Sequence, residues 1–200
     1  MIPSIETFSG CFVNFVKPCE TQVNLRDIAY GLSRQSRFNG HTKGCVPYSV
    51  AQHSVWVAMI AQKFFDADQH TTLLALFHDA HEAYTGDIVS PLKYMPDIHE
   101  AVKAVEERLQ KTIHCAFGLC DPDSKQHLLI ELVDRKALLV EGWHLMPSRA
   151  EGWSNNERIS QQTMETFRPA LESQKAFELF WCAEAFIRSG LDLEELWLST

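Results

Sequence analysis

Ser49-Val50-Ala51-Gln52-His53-Ser54-Val55-Trp56-Val57-Ala58-Met59-Ile60-Ala61-Gln62-Lys63-Phe64-Phe65-Asp66 is the stretch on which the fold turns. Ser49 and Gln52 have the spacing of a capping box, in which side chains satisfy the first free backbone N–H groups of a helix. Behind them Val50, Val57 and Ile60 recur at helical spacing, so the run reads as a helix reaching about Asp66. His53 has Val50 at i−3, Trp56 at i+3 and Val57 at i+4, which aims its ring at the core. A polar ring placed there needs a partner, since an unpaired buried polar group costs roughly 1–3 kcal/mol.

The same spacing extends outward on both sides. Asn24 reads as the N-cap of a helix carrying Ile28 and Leu32, and Asp68 as the cap of a third helix running to about Ala83. Asp97 reads as the cap of a fourth, with Ala101, Val105, Leu109 and Ile113, stopped by Gly118. A fifth spans about Ser124 to Leu145, and a last one runs from Ser173 through Phe177, Phe180 and Ala183 to Gly190. Breakers gather at Asn39 to Gly44, Tyr84 to Asp87 and Met146 to Asn156. No stretch alternates convincingly at period two, so an all-α helical bundle is expected. At 200 residues and 46% apolar composition the chain reads as one domain, 1–200. Residues 1–23 and 147–169 show no decipherable pattern.

A net charge of −8 has the wrong sign for a nonspecific nucleic-acid coat. A phosphate-bearing ligand must therefore meet cations gathered in one cleft, and Arg37, Lys43 and Lys93 are expected around His78-Asp79. Six cysteines without a CxxC pair read as reduced core thiols in a cytoplasmic protein. Met1 to Val13 lacks the pattern of a signal peptide, and no apolar run approaches the roughly 18 residues that span a bilayer. No membrane partner is expected.

The chemistry centres on His78-Asp79. Nine histidines and ten aspartates in 200 positions make such a dipeptide weak evidence alone. Its context strengthens it. Asp134, between Ile130 at i−4 and Leu138 at i+4, turns a carboxylate inward as His53 turns an imidazole inward. Two imidazoles and two carboxylates on three helices form a mixed nitrogen and oxygen set suited to a divalent ion between helices, with Zn²⁺, Co²⁺, Mn²⁺ or Fe²⁺ the natural occupants and Mg²⁺ compatible. The alternative is a hydrogen-bonded core histidine at 53 and an ion pair of Asp134 with Arg135 or Lys136. Glu82, at i+4 from His78 on the expected third helix, falls one turn along, where it reaches an attacking water rather than the ion. Asp87, after Gly86, either holds an incoming group or caps a turn.

Tyr48-Ser49-Val50-Ala51-Gln52-His53-Ser54, the block from Leu76-Phe77-His78-Asp79-Ala80-His81-Glu82 through Gly86-Asp87 to Ser90-Pro91-Leu92-Lys93, and Val133-Asp134 resemble the motifs of HD-domain phosphohydrolases. The resemblance covers about residues 24–145, leaving 146–200 as a helical extension of the same domain. It implies that His53, His78, Asp79 and Asp134 hold the metal and that Glu82 orients or deprotonates the attacking water. Arg37 and Lys93 would meet phosphate oxygens, Phe38 and Pro91 would wall the base with Asn39 beside them, and Asp87 would contact the deoxyribose. Two branches fit: phage-type dATP triphosphohydrolases, preferred here for the loop Ser33 to Thr42, and 5′-deoxynucleotidases acting on monophosphates. A noncatalytic metal- or nucleotide-binding module is the reading of another class. Both enzyme branches imply a homo-oligomer, a dimer or hexamer.

Overall fold

A computed structural model describes residues 3–153 and 159–200; the Asn155-Asn156 end of the last breaker cluster lies outside them. The chain opens with an antiparallel hairpin, β1 (Ser4–Glu6) and β2 (Phe12–Asn14), in which Ile5 faces Val13. This small sheet escaped the sequence reading because three-residue strands are too short to show alternation, and of its residues only Val13 is buried. The helices follow: α1 (Leu25–Leu32), α2 (Val50–Phe65), α3 (Gln69–Leu76), α4 (Glu82–Thr85), α5 (Ser90–Lys93), α6 (His99–Ala116), α7 (Ser124–Leu145), α8 (Gln161–Glu165), α9 (Ser173–Arg188) and α10 (Leu193–Ser199). The architecture is all-α apart from that hairpin.

The axis of the fold is α2, buried without interruption from Val50 to Ala61. A helix that is apolar on every side must be surrounded, and α2 packs against α3, α7, α9 and α10. Trp56 stacks on Trp197 of α10 with ring centroids 6.3 Å apart, and Phe77 meets Phe180 of α9 edge-on at 6.0 Å. The segments after residue 160 thus close the core around the helix that carries His53.

Local chemistry explains most boundaries. Side-chain oxygens of Asn24, Ser49 and Asp68 accept from Asp27, Gln52 and Thr71 backbone N–H groups, as N-caps do. The box at Ser49 is one-sided, however. The Gln52 amide reaches Pro169 C=O at 2.8 Å and accepts from Leu171 N–H at 2.9 Å, so it ties the C-terminal segment to α2 instead of closing the cap. Asp97 is not a cap; α6 starts one residue later after Ile98, which makes no side-chain cap bond, and Ala101 is exposed. Gly118 takes φ 67° just past that helix, the left-handed turn that favours glycine. Among the described residues the six cysteines are unpaired; Cys19, Cys45, Cys115 and Cys120 are exposed, and of the half-buried pair, Cys11 and Cys182, Cys182 packs against the core. Among the described residues no helix is long and apolar enough to cross a membrane.

The third helix ends at Leu76, not near Ala83, and the reason lies on α6. Continuing it would pair His81 N–H with Phe77 C=O. The Gln110 carboxamide intercepts both: its Nε2 donates to Phe77 C=O at 2.7 Å and its Oε1 accepts from His81 N–H at 3.3 Å. His78 Nδ1 takes Ala75 C=O at 2.8 Å, which the next turn would also have used. With those partners diverted, residues 77–81 form tight turns, such as Glu82 N–H to Asp79 C=O at 3.0 Å, and α4 restarts at Glu82. His78 and Asp79 therefore sit in a helix break.

Candidate metal centre and its surroundings

Three elements converge beside α2. His53 is fully buried on α2, the break supplies His78 and Asp79, and α7 supplies Asp134, whose side chain keeps 39% of its exposure. His53 Nε2 lies 3.3 Å from His78 Nε2 and 3.0 Å from Asp134 Oδ1. Asp79 Oδ2 is 3.1 Å from His78 Nε2 and 3.8 Å from His53 Nε2. The sequence-predicted ligands are thus brought together, and the atoms offered by His53, His78 and Asp134 all lie within 4.8 Å of one another.

Whether a cation fits follows from the outer ring nitrogens. His53 Nδ1 donates to Glu141 Oε1 at 2.6 Å, and His78 Nδ1 donates to Ala75 C=O at 2.8 Å. In neutral rings both Nε2 atoms then present lone pairs, facing each other and two carboxylates. A cluster made of acceptors alone needs positive charge at its centre. The same demand appears in the titration of the rings: burial opposes charge on His78, yet Asp79 and Asp134 hold it well above the usual histidine range. Burial also opposes charge on Asp134, and hydrogen bonds from His53 and His78, which the rings can donate only when protonated, outweigh it, holding this carboxyl well below its ordinary value. The donor set, with each outer nitrogen already committed, fits a divalent ion.

Around this centre the other expected residues divide. Glu82 is buried at the first position of α4, with Oε1 3.5 Å from Lys93 Nζ and Oε2 without a hydrogen-bond partner among the described residues. Burial, then the charges of Asp79 and Asp87, push its carboxyl well above the usual range against the pull of Lys93 and Arg37. Asp87 is half-buried and raised by burial, with Arg37, Asp79 and Lys93 all acting on it. Arg37 is 11% exposed and points Nη1 at Asp79 Oδ2, 3.8 Å away. Phe38 and Asn39 follow it in left-handed backbone, φ 56° and 51°, strain that L residues rarely adopt. Phe38 packs on Trp153 at 5.8 Å, whereas Asn39 is exposed, as is Pro91 on α5. Lys43 is not drawn in: it lies exposed, its backbone N–H on Leu145 C=O at 2.8 Å.

Other residues that build the site were missed by the sequence reading. Glu141, fully buried, bridges His53 and Arg37; its signal was a charged residue two turns after Asp134 on the same face of α7. Glu106 on α6 holds Lys93 at 3.0 Å and faces His81 Nε2 at 3.6 Å. A cavity of about 540 Å³ opens between α6 and α7, lined by Leu74, His81, Gln110 and Ile130 and reaching His78 and Asp134. Trp153 lay in a segment without readable periodicity.

Metal-type ligands at a helix break on an all-α frame agree with the HD-domain phosphohydrolase resemblance of the sequence motifs. A model of that type, 5′-deoxynucleotidase YfbR-like, matches residues 33–119. The chain is 35% identical over 112 residues to an uncharacterized protein of Rhodobacter capsulatus, covering 56% of each. It is 38% identical over 116 residues to the uncharacterized protein YfdR of Escherichia coli K12, covering 58% of each. To the 5′-deoxynucleotidase YfbR of Escherichia coli O1:K1 it is 28% identical over 173 residues, covering 74% of this chain and 83% of that protein. The matches to the first two span little more than half of those relatives' length. The resemblance seen in the motifs is therefore to YfbR-like HD-domain proteins, and those of these relatives that are named for an activity are 5′-deoxynucleotidases.

Proposed function

We propose that the chain is a metal-dependent phosphohydrolase that cleaves 5′-phosphate from deoxynucleoside monophosphates. The observation that carries this reading is the acceptor-only cluster of His53, His78, Asp79 and Asp134 set beside Arg37 and the buried carboxyl of Glu82. A divalent ion in that cluster would lower the pKa of water and screen the charge on phosphate oxygens. Arg37 offers its Nη edge to phosphate, because its Nε is committed to Glu141 at 2.9 Å. Glu82 Oε2, without a partner among the described residues, is assigned to take the proton of the attacking water. Lys93, clamped between Glu82 and Glu106, steadies that carboxylate. Phe38, backed by Trp153, is assigned to the base, with Pro91 and Asn39 at the rim and Asp87 at the deoxyribose.

Charge supports a monophosphate. Arg37 and Lys93 stand against Asp79, Glu82, Asp87, Glu106, Asp134 and Glu141, and Lys43 stays outside. A triphosphate would bring more negative charge than two paired cations and one ion offset, and the cavity's further cations, Lys103 and Lys111, share its wall with Glu106, Glu107, Asp121 and Glu131, a preference opposite to the dATP expectation. Release of inorganic phosphate from the four deoxynucleoside monophosphates, with Mn²⁺, Co²⁺, Zn²⁺ or Mg²⁺ supplied, tests it. Faster release of triphosphate from dATP would restore the triphosphohydrolase; bound metal and nucleotide without hydrolysis would favour the noncatalytic module. We place action in the cytoplasm, as a homo-oligomer without nucleic-acid or membrane partners.

A further inference from the structure

Glu141 is fully buried, yet both its oxygens are engaged by groups of opposite duty. Oε1 accepts from His53 Nδ1 at 2.6 Å and Oε2 accepts from Arg37 Nε at 2.9 Å. We propose that Glu141 is a positioning residue that couples the phosphate-gripping guanidinium of Arg37 to the metal-facing nitrogen of His53. The inference rests on the metal-dependent phosphohydrolase reading.

The coupling follows from what one carboxylate can do that no neutral side chain can. Accepting from His53 Nδ1–H fixes the ring tautomer, so that Nε2 keeps a lone pair toward Asp134 and His78. Accepting from Arg37 Nε fixes the guanidinium plane and turns Nη1 toward Asp79. Glu141 stands on α7, as Asp134 does, so one rigid helix sets a ligand directly and orients a second ligand and a cation through Glu141. A glutamine cannot serve both partners. If its carbonyl accepts from His53, its NH₂ opposes the Arg37 Nε–H; if its NH₂ faces His53, Nδ1 must accept and the ring proton moves to Nε2, which removes a ligand. Aspartate keeps the charge and both acceptors on a stem shorter by one methylene.

Wild-type protein and the variants Glu141→Gln and Glu141→Asp are compared by calorimetric titration with Mn²⁺ and by steady-state hydrolysis of dAMP. In Glu141→Gln the metal Kd should rise about 10- to 100-fold, the usual effect of removing a partner behind a ligand histidine. At saturating metal, KM for dAMP should also rise tenfold or more through the loosened Arg37. Glu141→Asp should recover part of both. A Glu141→Gln protein with wild-type Kd and KM, or one in which only one of the two changes, overturns the coupling. Equal losses in both variants, tracking only a lower thermal midpoint, would make Glu141 structural and overturn it as well. Should Glu141→Gln fail to fold, ¹⁵N shifts of His53 in metal-free wild-type protein decide: a proton on Nδ1 is expected, and one on Nε2 alone overturns the proposal. If wild-type protein binds metal but hydrolyses no phosphate ester, the functional reading fails while the metal and tautomer measurements still judge the role of Glu141.

Discussion

Glu82 shows how a single position can be set by neighbours instead of by its own helix. It opens α4 rather than closing α3, with its backbone N–H on the Asp79 carbonyl at 3.0 Å and its carboxylate beside Lys93. Burial and the charges of Asp79 and Asp87 nevertheless make ionisation costly, which suits a group whose work is to accept a proton. Glu82→Gln keeps the shape and the contact with Lys93 while removing the proton acceptor. Metal affinity measured by titration should stay within about twofold of wild type, while turnover of dAMP falls roughly 10²-fold or more, the usual contribution of a general base. An equal loss of metal would make Glu82 a ligand and move the base elsewhere.

Elements carry the site by close approach. Gly31 of α1 lies against α4: a Cβ there would sit 2.9 Å from the carbonyl oxygen of Ala83, beside Glu82. Backbone cannot yield as a flexible side chain does, so Gly31→Ala should destabilise the fold by about 1–3 kcal/mol, read as a lower urea midpoint at unchanged slope. A wild-type midpoint would mean that the two helices slide apart freely. One turn earlier on α1, Asp27 clamps the hairpin. Its carboxylate accepts from Ser9 N–H at 2.9 Å, Thr7 Oγ1 at 2.7 Å and Asn24 Nδ2 at 2.7 Å. Burial alone would raise its pKa, and the bonds from Ser9, Thr7 and Asn24 outweigh burial and lower it. A carboxyl lowered in the folded state contributes stability that is present above its unfolded pKa of about 3.9 and fades as pH falls through the folded value. Asp27→Asn should therefore unfold about 1–2 kcal/mol more easily at pH 7. The gap should close at the acid end of a urea series from pH 7 to pH 2, and a gap independent of pH would show that packing, not charge, holds the hairpin.

Across the whole molecule, what the sequence disclosed was what neighbours in the chain decide. Asn24, Asp68 and the run Ser124 to Leu145 were readable because a cap and a helical stripe act within a few residues. The break after Leu76 was not, since the carboxamide that makes it comes from Gln110 on another helix. His53 and Asp134 were readable as polar residues on apolar faces and His78-Asp79 as a dipeptide in that context; Glu141 was overlooked because its partners lie 88 and 104 residues away. Long-range convergence would also make a bound metal a folding partner, because the proposed ligands come from α2, the break and α7, which only the native chain assembles. An ion that binds the folded state alone adds RT ln(1 + [M]/Kd), about 2.7 kcal/mol at a hundredfold excess over Kd. In a chain of this length that corresponds to a rise in Tm of roughly 5–11 °C. Thermal scans of chelator-treated protein with and without Mn²⁺ should show this rise in wild type and lose it in Asp134→Ala, which removes one carboxylate from the cluster. A rise of the same size in Asp134→Ala would place the stabilising ion elsewhere and take Asp134 out of the ligand set.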